Sequence, residues 1–354
     1  MPSIRVAVIG VGNCASALVQ GVTKSKENGG GLEGLSFEKL GGYSPSDIEF
    51  VAAFDVNKQK VGHDLGEAIF APPNNTLKIT SGLKLGVEVK RAPVLDGLGK
   101  YLKEMITVDE RPEVDVAAAL RESRADVAIN YVPVGSERAA RFYAEECLKA
   151  GVAYVNAMPT FIASDPEWEK KFRERGVAII GDDVMSQFGA TVLHKTLARL
   201  MVDRGVRLKQ TYQLNVGGDT DFANMIEESR LKTKRISKTS AVQSLIPYSV
   251  PTRIGPSDYI EFLENRKYAY IMLEGTYFGG APVKLELKLE VWDAYNSAGV
   301  MIDAVRAAKL AKDRAVSGAV TSAAAWTMKH PPIQMPYEEA KRAITEFAEG
   351  KRER

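Results

Sequence analysis

The stretch IRVAVIGVGNCASALVQGV, residues 4–22, joins an apolar run, a glycine-rich turn and a run with helical spacing. Residues 4–9 predict a buried strand, and residues 15–22 predict a helix. Between them lies the GxGxxA pattern that runs from Gly10 through Gly12 to Ala15. In such a loop Gly10 permits a tight turn, Gly12 lets backbone approach a pyrophosphate, and a small sixth residue lets helix and strand pack closely. The stretch therefore predicts the first unit of a dinucleotide-binding fold, although a turn that merely needs glycine is the alternative.

Apolar strands and helices alternate beyond this unit. Strands are predicted at residues 48–54, 126–131, 152–157 and 177–183, and helices at residues 58–69, 114–123, 135–151 and 165–176. Asp165 before Pro166 is a typical helix N-cap. A glycine-rich polar stretch at about residues 25–47 predicts a long loop. Near-continuous apolar strands separated by helices predict a parallel sheet that is covered on both faces.

The pattern changes after about residue 200. Residues 209–216 and 268–275 are strand-like, and residues 283–293 alternate strictly between apolar and polar side chains. Such alternation is typical of a half-buried strand in a mostly antiparallel sheet, whose polar face meets solvent or another subunit. Residues 297–314 and most of the remaining chain return to helix. We therefore predict an α/β fold: a Rossmann-like doubly wound parallel sheet (1–199), an inserted α+β domain (200–295) and a C-terminal return to the first domain (296–354).

The composition argues against several functional classes. The chain has 354 residues and a net charge of only +2, which does not favour nucleic-acid binding. Cys14 and Cys147 form no CxxC pair and the histidines are scattered, so we expect no metal centre. We find neither an apolar run of about 18 residues nor a signal-peptide pattern, so we expect a cytoplasmic protein without a membrane span.

Asp55 ends the second predicted strand, where this fold expects an acidic residue. It lies 43 positions beyond Gly12, whereas about 20 is usual; the glycine-rich stretch explains the excess. A carboxylate there accepts hydrogen bonds from the ribose of NAD and repels the 2′-phosphate of NADP. We predict that Asn13 helps to hold the pyrophosphate through its amide. We interpret Cys14 as a small loop residue and not a nucleophile, because no histidine partner can be assigned.

The segment KTKRISK, residues 232–238, contains four cations in seven positions. Lys234 and Lys238 share a face if the segment is helical, and like charges at that spacing repel each other. An anion bound between them is one interpretation. An ordinary exposed basic helix is the other.

Several motifs between residue 4 and about residue 335 occur in the order typical of one family. They are VGNCASALVQGV, FVAAFDVNKQKVG, GDDxxSQ, LNVGGDTDFANM, KTKRISKT, IGPSDY, RKYAY, VWDAYNSAGVMIDAVR and MKHPP. Together they resemble inositol-1-phosphate synthase (also called myo-inositol-3-phosphate synthase) in its shorter prokaryotic form. The resemblance implies an NAD cofactor, a Rossmann domain interrupted by a catalytic and oligomerisation domain, and a homotetramer.

The resemblance also implies a reaction, the conversion of glucose 6-phosphate to 1D-myo-inositol 3-phosphate at the start of inositol and phospholipid biosynthesis. Carbon 5 is oxidised, carbon 6 loses a proton, the enolate closes the ring on the carbon 1 aldehyde, and the ketone is reduced again. This chemistry needs cations at oxyanions, a phosphate clamp and proton-transfer groups. Clustered lysines suit all three, because burial and mutual repulsion lower an ammonium pKa.

Matching motifs identify the candidate site residues. The catalytic candidates are Lys234, Lys238, Lys267, Asp293, Lys329 and Asp183. The cofactor-binding candidates are Gly10, Gly12, Asn13, Cys14, Asp55, Asp64, Tyr143, Ser186 and Asp221. The lysines share phosphate, carbonyl-oxygen and proton-transfer roles that the resemblance does not divide, and Asp183 and Asp293 orient the lysines or the nicotinamide side. The alternatives are an N-cap role for Asp183 and a surface ion pair of Asp293 with Lys329.

One position departs from the family pattern. The family usually carries lysine within DDxKSQ, whereas this chain has Met185. The change removes a cation expected near cofactor and substrate, so we expect Met185→Lys to change the Michaelis constant more than stability.

Two other functions share parts of this pattern. A dehydrogenase acting on a sugar phosphate or semialdehyde would use the same loop but would not need several lysines in the second domain. An NAD-sensing regulator would need a DNA-reading module, and no helix-turn-helix pattern with a basic recognition helix is found.

Overall fold

Two β-sheets built from separate stretches of the chain organise the computed structural model. It describes residues 3–354, apart from the side chains of Lys232, Pro256 and Ser257. The strands are β1 (Ile4–Ile9), β2 (Ile48–Asp55), β3 (Val89–Arg91), β4 (Val127–Asn130), β5 (Ala153–Asn156), β6 (Ala178–Ile180), β7 (Arg207–Gly217), β8 (Thr252–Tyr259), β9 (Arg266–Thr276), β10 (Pro282–Trp292) and β11 (Gly318–Ala319). The helices are α1 (Asn13–Glu27), α2 (Leu65–Ala68), α3 (Gly99–Met105), α4 (Val116–Glu122), α5 (Glu137–Ala150), α6 (Pro166–Glu174), α7 (Ala190–Asp203), α8 (Thr220–Met225), α9 (Lys232–Gln243), α10 (Asp293–Asp313), α11 (Thr321–Thr327) and α12 (Tyr337–Ala348).

The first sheet has the order β11-β6-β5-β4-β1-β2-β3 within the described chain, and all its strand pairs are parallel. Six of these strands follow the doubly wound order in which ligands bind beyond the carboxyl ends of the strands. Both faces are covered: Val6 and Val8 of β1 pack into the core beneath α1 and α10, whereas Ala7 and Ile9 pack into the core beneath α4 and α5. The predicted Rossmann-like fold class is confirmed.

The second sheet has the order β10-β9-β7-β8, in which β7 and β8 are parallel and the other pairs antiparallel. The alternation predicted for residues 283–293 is present in β10. Its apolar side chains pack towards the core that includes α7 residues, and Lys284, Glu286, Lys288 and Glu290 are exposed. This sheet therefore has one buried and one charged side along its β10 edge.

The chain returns to the first sheet after β10. Helix α10 packs against α1, β1, β4 and β5, and β11 pairs with β6. Helices and strands thus follow the predicted order, while the domain ranges 1–199, 200–295 and 296–354 stay a prediction.

Arg306 of α10 fixes the glycine-rich stretch, which is irregular between Glu27 and a single helical turn at Pro45–Asp47. The Arg306 guanidinium is fully buried and donates to the carbonyl oxygens of Phe37, Glu38 and Tyr43 at 3.0–3.2 Å. It also donates to Asp303 Oδ1 at 2.5 Å, and Asp303 Oδ2 accepts from Trp326 Nε1 at 3.1 Å. These hydrogen bonds from α10 hold the long polar loop in one conformation.

The helix predicted at residues 58–69 is wrong, because only Leu65–Ala68 are helical. Gly62 has φ +82°, and a Cβ there would overlap the Arg111 guanidinium. Lys60 Nζ instead donates to the Val11 carbonyl at 2.7 Å. The strand predicted at residues 177–183 ends at Ile180, which leaves Asp182 and Asp183 in the loop at the carboxyl edge of the sheet.

Candidate active site

A cleft of about 250 Å³ lies at the carboxyl ends of the parallel strands and extends to the second sheet. The predicted site residues that line it are Gly10, Gly12, Asn13, Cys14, Asp55, Tyr143, Ser186, Asp221, Lys234, Lys238, Lys267, Asp293 and Lys329. Asp183 is hydrogen-bonded to Lys234 and Lys329. One surface therefore joins most of the cofactor-binding and catalytic candidates.

The glycine-rich loop has the geometry that a dinucleotide pyrophosphate needs. Gly10 has φ +88°, and a Cβ there would lie 2.8 Å from the carbonyl oxygen of Tyr131. A Cβ on Gly12 would meet no atom within 4 Å, so backbone at this position is open to a ligand. Helix α1 begins at Asn13, and its first-turn amides lack intrahelical partners and carry the positive end of the helix dipole. The loop therefore fits a bound diphosphate.

Asp55 positions this loop. Its Oδ2 accepts from Val11 N at 2.7 Å, and its Oδ1 accepts from Val56 N at 2.7 Å and Asn57 N at 2.9 Å. A carboxylate oxygen can accept more than one hydrogen bond. Asp55 therefore stabilises the turn and keeps acceptor capacity towards the cleft that it lines.

The side chains of Asn13 and Cys14 differ in their capacity to bind a ligand. Asn13 Oδ1 accepts from Asn75 N at 2.8 Å and Thr76 N at 3.1 Å, and its Nδ2 donates to Asn75 Oδ1 at 2.9 Å. The amide thus holds residues 75–76, and one Nδ2 hydrogen is left for a pyrophosphate. Burial, together with the nearby charge of Asp293, raises the pKa of the Cys14 thiol to about 12, which agrees with an unreactive packing residue.

The other four cofactor-binding candidates fall into two groups. Tyr143 of α5, Ser186 and Asp221 of α8 line the cleft. Asp64 is not among its lining residues: its carboxylate caps α2 through Gly66 N and accepts from the amides of residues 85–87. Asp64 therefore closes the loop that leads into β3, and the structure does not bring it to the cofactor candidates.

Four lysines from three parts of the chain meet in the cleft. Lys234 and Lys238 lie one turn apart on α9, Lys267 is on β9, and Lys329 follows α11. Lys234, Lys238 and Lys329 are at most 8% exposed. The interpretation of KTKRISK as an ordinary exposed helix is therefore wrong for the face that carries Lys234 and Lys238.

Asp183 binds two of these lysines. Its Oδ1 accepts from Lys234 Nζ at 2.9 Å and Lys329 Nζ at 3.2 Å, and its Oδ2 accepts from Ser237 Oγ at 2.6 Å. Backbone pairing of residues 182–183 with residues 329–330 aligns Lys329. The alternative role of Asp183 as an N-cap is wrong, because the next helix is capped by Gly189.

Charge pairing lowers the pKa of Asp183 and raises the pKa of Lys234 relative to their ordinary values. Burial alone would raise the pKa of Asp183, but the Lys234 and Lys329 ammonium groups and the Ser237 hydroxyl produce a net lowering. Burial would lower the pKa of Lys234, but Asp183 and Asp221 raise it above its usual value. Both groups are therefore ionised at neutral pH.

Lys238 and Lys329 are shifted in the opposite direction. Burial, followed by repulsion from Lys267, Lys234 and Lys329, lowers the pKa of Lys238 well below its usual value. Burial and the neighbouring cations outweigh the attraction of Asp183 at Lys329 and bring its pKa to about 8. Among the described residues, Lys238 Nζ has no carboxylate within salt-bridge distance. The cluster thus combines a fixed cation, Lys234, with two amines whose pKa values are lowered, Lys238 and Lys329.

Lys267 and Asp293 form a second pair at the wall of the cleft. Lys267 Nζ donates to Asp293 Oδ1 at 3.0 Å and Oδ2 at 3.2 Å. Burial opposes ionisation of Asp293, but Lys267 produces a net lowering of the carboxyl pKa. The alternative of a surface ion pair between Asp293 and Lys329 is wrong, because the partner of Asp293 is Lys267 and Lys329 is buried against Asp183.

Asp219 and Asn265 were missed by the sequence analysis. Asp219 caps α8 and lines the cleft, and burial, with repulsion from Asp221 and Asp293, raises its pKa to about 7. Asn265 donates to Asp219 Oδ2 at 2.8 Å and accepts from Thr76 Oγ1 at 2.9 Å. Asp219 directly precedes the α8 sequence TDFANM, and this pattern predicts an N-cap. The sequence around Thr76 gives no indication of its partner Asn265, which lies 189 positions away.

Met185 does not line this cleft. It is 7% exposed and lines a separate small cavity with residues of α7, α10, α11 and α12. A lysine at this position would therefore enter the small cavity rather than the lysine cluster, which corrects the expectation that Met185 removes a cation near the substrate.

Neither a metal centre nor a membrane-spanning helix is found among the described residues. No group of three or more His, Cys, Asp or Glu side chains is arranged to hold a metal ion. Between residues 3 and 354, no helix is both long enough and apolar enough to cross a membrane.

Comparisons with known proteins agree with this architecture. A profile of the family described as Myo-inositol-1-phosphate synthase matches residues 189–294. The inositol-3-phosphate synthase of Mycobacterium tuberculosis (strain CDC 1551 / Oshkosh) is 53% identical over 352 residues, which cover 98% of this chain and 96% of that protein. The enzyme of the same name from Mycolicibacterium smegmatis is 52% identical over 356 residues, with 98% of each chain covered. A myo-inositol-1-phosphate synthase-related protein from Thermotoga maritima has a similar fold, with a TM-score of 0.80, 24% identity and 98% of each chain covered.

The fold and the relatives define an enzyme of the Rossmann type that is built around a nucleotide cofactor. More specifically, the chain belongs to the inositol-3-phosphate synthase family.

Proposed function

We propose that this enzyme converts D-glucose 6-phosphate to 1D-myo-inositol 3-phosphate with NAD as a cofactor that is regenerated in each turnover. The observation that carries the proposal is the convergence of four lysines with a dinucleotide-type loop in one cleft. An enzyme that only transfers hydride to a released cofactor does not need this cluster. The names of the relatives support the same reaction.

The loop residues Gly10, Gly12 and Asn13 would hold the pyrophosphate, and Asp55 would accept from the adenosine ribose. The chemistry that NAD would supply when bound is reversible hydride transfer, in which a hydride leaves carbon 5 and later returns to it. The carboxylate of Asp55 favours NAD over NADP, because a 2′-phosphate would face a fixed negative charge.

The pKa shifts suggest a division of roles among the lysines. Lys234, held as a cation by Asp183, suits the substrate phosphate or a developing oxyanion. Lys238, with a strongly lowered pKa, suits proton transfer, because a neutral amine can take a proton from carbon 6. Lys329, with a pKa of about 8, can polarise the carbonyl oxygen as a cation and return a proton to the alkoxide.

These steps balance without an external oxidant. Carbon 5 loses a hydride and its hydroxyl proton, and carbon 6 loses one proton. The new bond joins carbon 6 to carbon 1, whose oxygen takes up a proton. Carbon 5 then regains hydride and its oxygen regains a proton, so the product is an isomer of the substrate. Every proton moved needs a group that can take up and release it, and the lowered pKa values of Lys238 and Lys329 favour them for this role.

Incubation of the enzyme with glucose 6-phosphate and a catalytic amount of NAD⁺ tests the proposal. We expect inositol phosphate in excess of NAD⁺, detected by phosphorus NMR, with no sustained rise in absorbance at 340 nm. A sustained rise without inositol phosphate would instead identify the alternative, a sugar-phosphate or semialdehyde dehydrogenase. We further propose the homotetramer implied by the family, which light scattering after size-exclusion chromatography tests.

A further inference from the structure

A second cavity, of about 30 Å³, lies beside the main cleft. Residues 185–187 form one wall, and helices α7, α10, α11 and α12 form the others. Ser186 lines both this cavity and the cleft. The reaction proposed above uses no group of this cavity apart from that shared wall.

Lys195 of α7 lines the cavity and is 3% exposed. Its Nζ donates to the carbonyl oxygen of Met335 at 3.3 Å, the one hydrogen bond of this ammonium within the described chain. An ammonium has three N–H donors, and a buried cation without a partner is costly. Burial lowers the pKa of Lys195 to about 8, so at neutral pH the group still carries its charge. A partner with negative charge is therefore expected beside it.

No Asp or Glu is among the described residues that line this cavity. The other polar side chains of the lining are four hydroxyls, the Gln187 amide and the Trp326 indole. The Gln187 amide donates to the Gly34 carbonyl and the indole to Asp303, which leaves the hydroxyls of Ser36, Ser186, Thr196 and Tyr337. Hydroxyls donate readily to anions, and a lysine beside them adds the positive charge. The lining therefore has the donors of an anion site and lacks an internal counter-ion for Lys195.

The size of the cavity limits the anion. A volume of about 10–15 Å³ already holds one water molecule, so about 30 Å³ accommodates one or two waters or a monatomic ion of similar size. A phosphate or sulfate, with four oxygens around a central atom, exceeds this space. Chloride fits it, and so does the somewhat larger bromide.

We propose that Lys195 and the surrounding hydroxyls bind a chloride ion in this cavity. The ion neutralises the buried ammonium and stabilises residues 185–187, which join the cavity to the active-site cleft. The site is separate from the lysine cluster, so the proposal does not depend on the reaction assigned above.

Thermal unfolding at constant ionic strength tests the site, with sodium chloride replacing sodium gluconate stepwise. We expect chloride at ten times its dissociation constant to raise the melting temperature of the wild type by about 2 °C. Lys195→Met should abolish this rise. Lys209→Met removes one charge from an exposed position on β7 and should retain it. An equal chloride response in Lys195→Met and the wild type would overturn the proposal.

A second measurement needs no variant. Crystals of the wild-type enzyme equilibrated in sodium bromide should show an anomalous peak within hydrogen-bond distance of Lys195 Nζ. A cavity without such a peak at a bromide concentration that saturates the thermal response would also overturn the proposal.

Discussion

Two buried charge networks in this protein differ in how completely their groups are paired. In the first, both terminal nitrogens of Arg306 and both oxygens of Asp303 bind protein groups that belong to the fold. In the second, Asp183 binds Lys234 and Lys329, but Lys238 beside them has no carboxylate partner in the described chain. The first network stabilises a loop, and the second keeps unpaired donors facing a cleft.

The difference indicates how to distinguish a structural charge from a chemical one. A buried charge whose partners are supplied by the fold leaves little capacity for a ligand, as at Arg306, where Nε is the one guanidinium nitrogen without a hydrogen bond in the described chain. A charge that is buried and incompletely paired costs stability, and that cost is tolerated where a substrate completes the pairing. Loss of a group should therefore reduce stability in the first network and catalysis in the second.

The largest expected effect is on stability, from Arg306→Met. The substitution leaves Asp303 buried without its cation and the carbonyls of Phe37, Glu38 and Tyr43 without a donor, so the free energy of unfolding should fall by about 3–5 kcal/mol. Urea unfolding measures the loss, and Arg342→Met on the exposed face of α12 is the control. A loss no greater than that of the control would contradict the structural role of Arg306.

Lys238→Ala should have the opposite consequence. Product formation should fall by about 100-fold, because a contact made in the transition state is lost, while the melting temperature stays equal or rises. Arg235→Ala, on the same helix, should remain active. Lys238→Arg should restore little activity if Lys238 transfers a proton, because a guanidinium stays charged at neutral pH. Full activity of Lys238→Ala would exclude Lys238 from the chemistry.

The pKa of Lys329, about 8, predicts opposite pH trends for activity and stability. Above pH 8 the amine loses its proton, so kcat/KM should fall by up to about tenfold per pH unit. The unfolded chain keeps this proton up to the ordinary lysine pKa, so between the two values it binds more protons than the folded state. The contribution of Lys329 to the free energy of unfolding therefore rises with pH in this window.

Lys329→Arg separates these two trends. A guanidinium remains protonated throughout the range, so the alkaline fall in kcat/KM should move to higher pH. An alkaline limb that is identical in the variant and the wild type would assign the titration to another group.

Asp55 is an intermediate case, since its carboxylate is hydrogen-bonded by three loop amides and yet lines the cleft. Asp55→Ala should weaken NAD binding and narrow the preference for NAD over NADP by about tenfold, because one charged hydrogen bond and one repulsion are lost. Titration calorimetry with both cofactors measures this. Equal affinity of the wild type for NADP and NAD would count against the role of Asp55 at the ribose.

Met185→Lys should have the smallest effect and now tests a revised expectation. The side chain lies in the small cavity and not the cleft, so the Michaelis constant should change less than about twofold, and the free energy of unfolding should fall by about 1 kcal/mol as a charge is buried. Steady-state kinetics and urea unfolding together check this. A large change in the Michaelis constant would show that position 185 acts on the substrate after all.

Local pattern predicted those parts of the molecule whose contacts are close in sequence. The GxGxxA turn, the β10 alternation and the Asp165 cap each depend on a few consecutive residues, and each is present. The KTKRISK helix was readable as a helix but not as a buried one. Its burial depends on Asp183, 51 positions earlier, and on Lys329, 146 positions from Asp183. The residue pattern within α9 gives no information about partners that are so distant in the sequence.

The same limit explains the missed residues. Asn75 and Thr76 lie in an irregular stretch with no apolar period, and they connect the glycine-rich loop to Gly218 and Asn265 of the second sheet region. The family resemblance identified the lysines as catalytic candidates, because the physical argument alone did not decide between an anion site and an exposed basic helix. It did not supply Asp219, whose pKa is raised by burial and by repulsion from Asp221 and Asp293.

The late position of α10 in the sequence has a consequence for folding during translation. Val6 and Val8 are made first and α1 follows directly, but α10, the other helix over this face, ends at Asp313. At roughly 5–20 residues per second, translation from β4 to the end of α10 takes on the order of 10–40 s. During that interval one apolar face of the nascent sheet is covered by α1 but not yet by α10. The core on this face is therefore completed only after nearly the whole chain has been made.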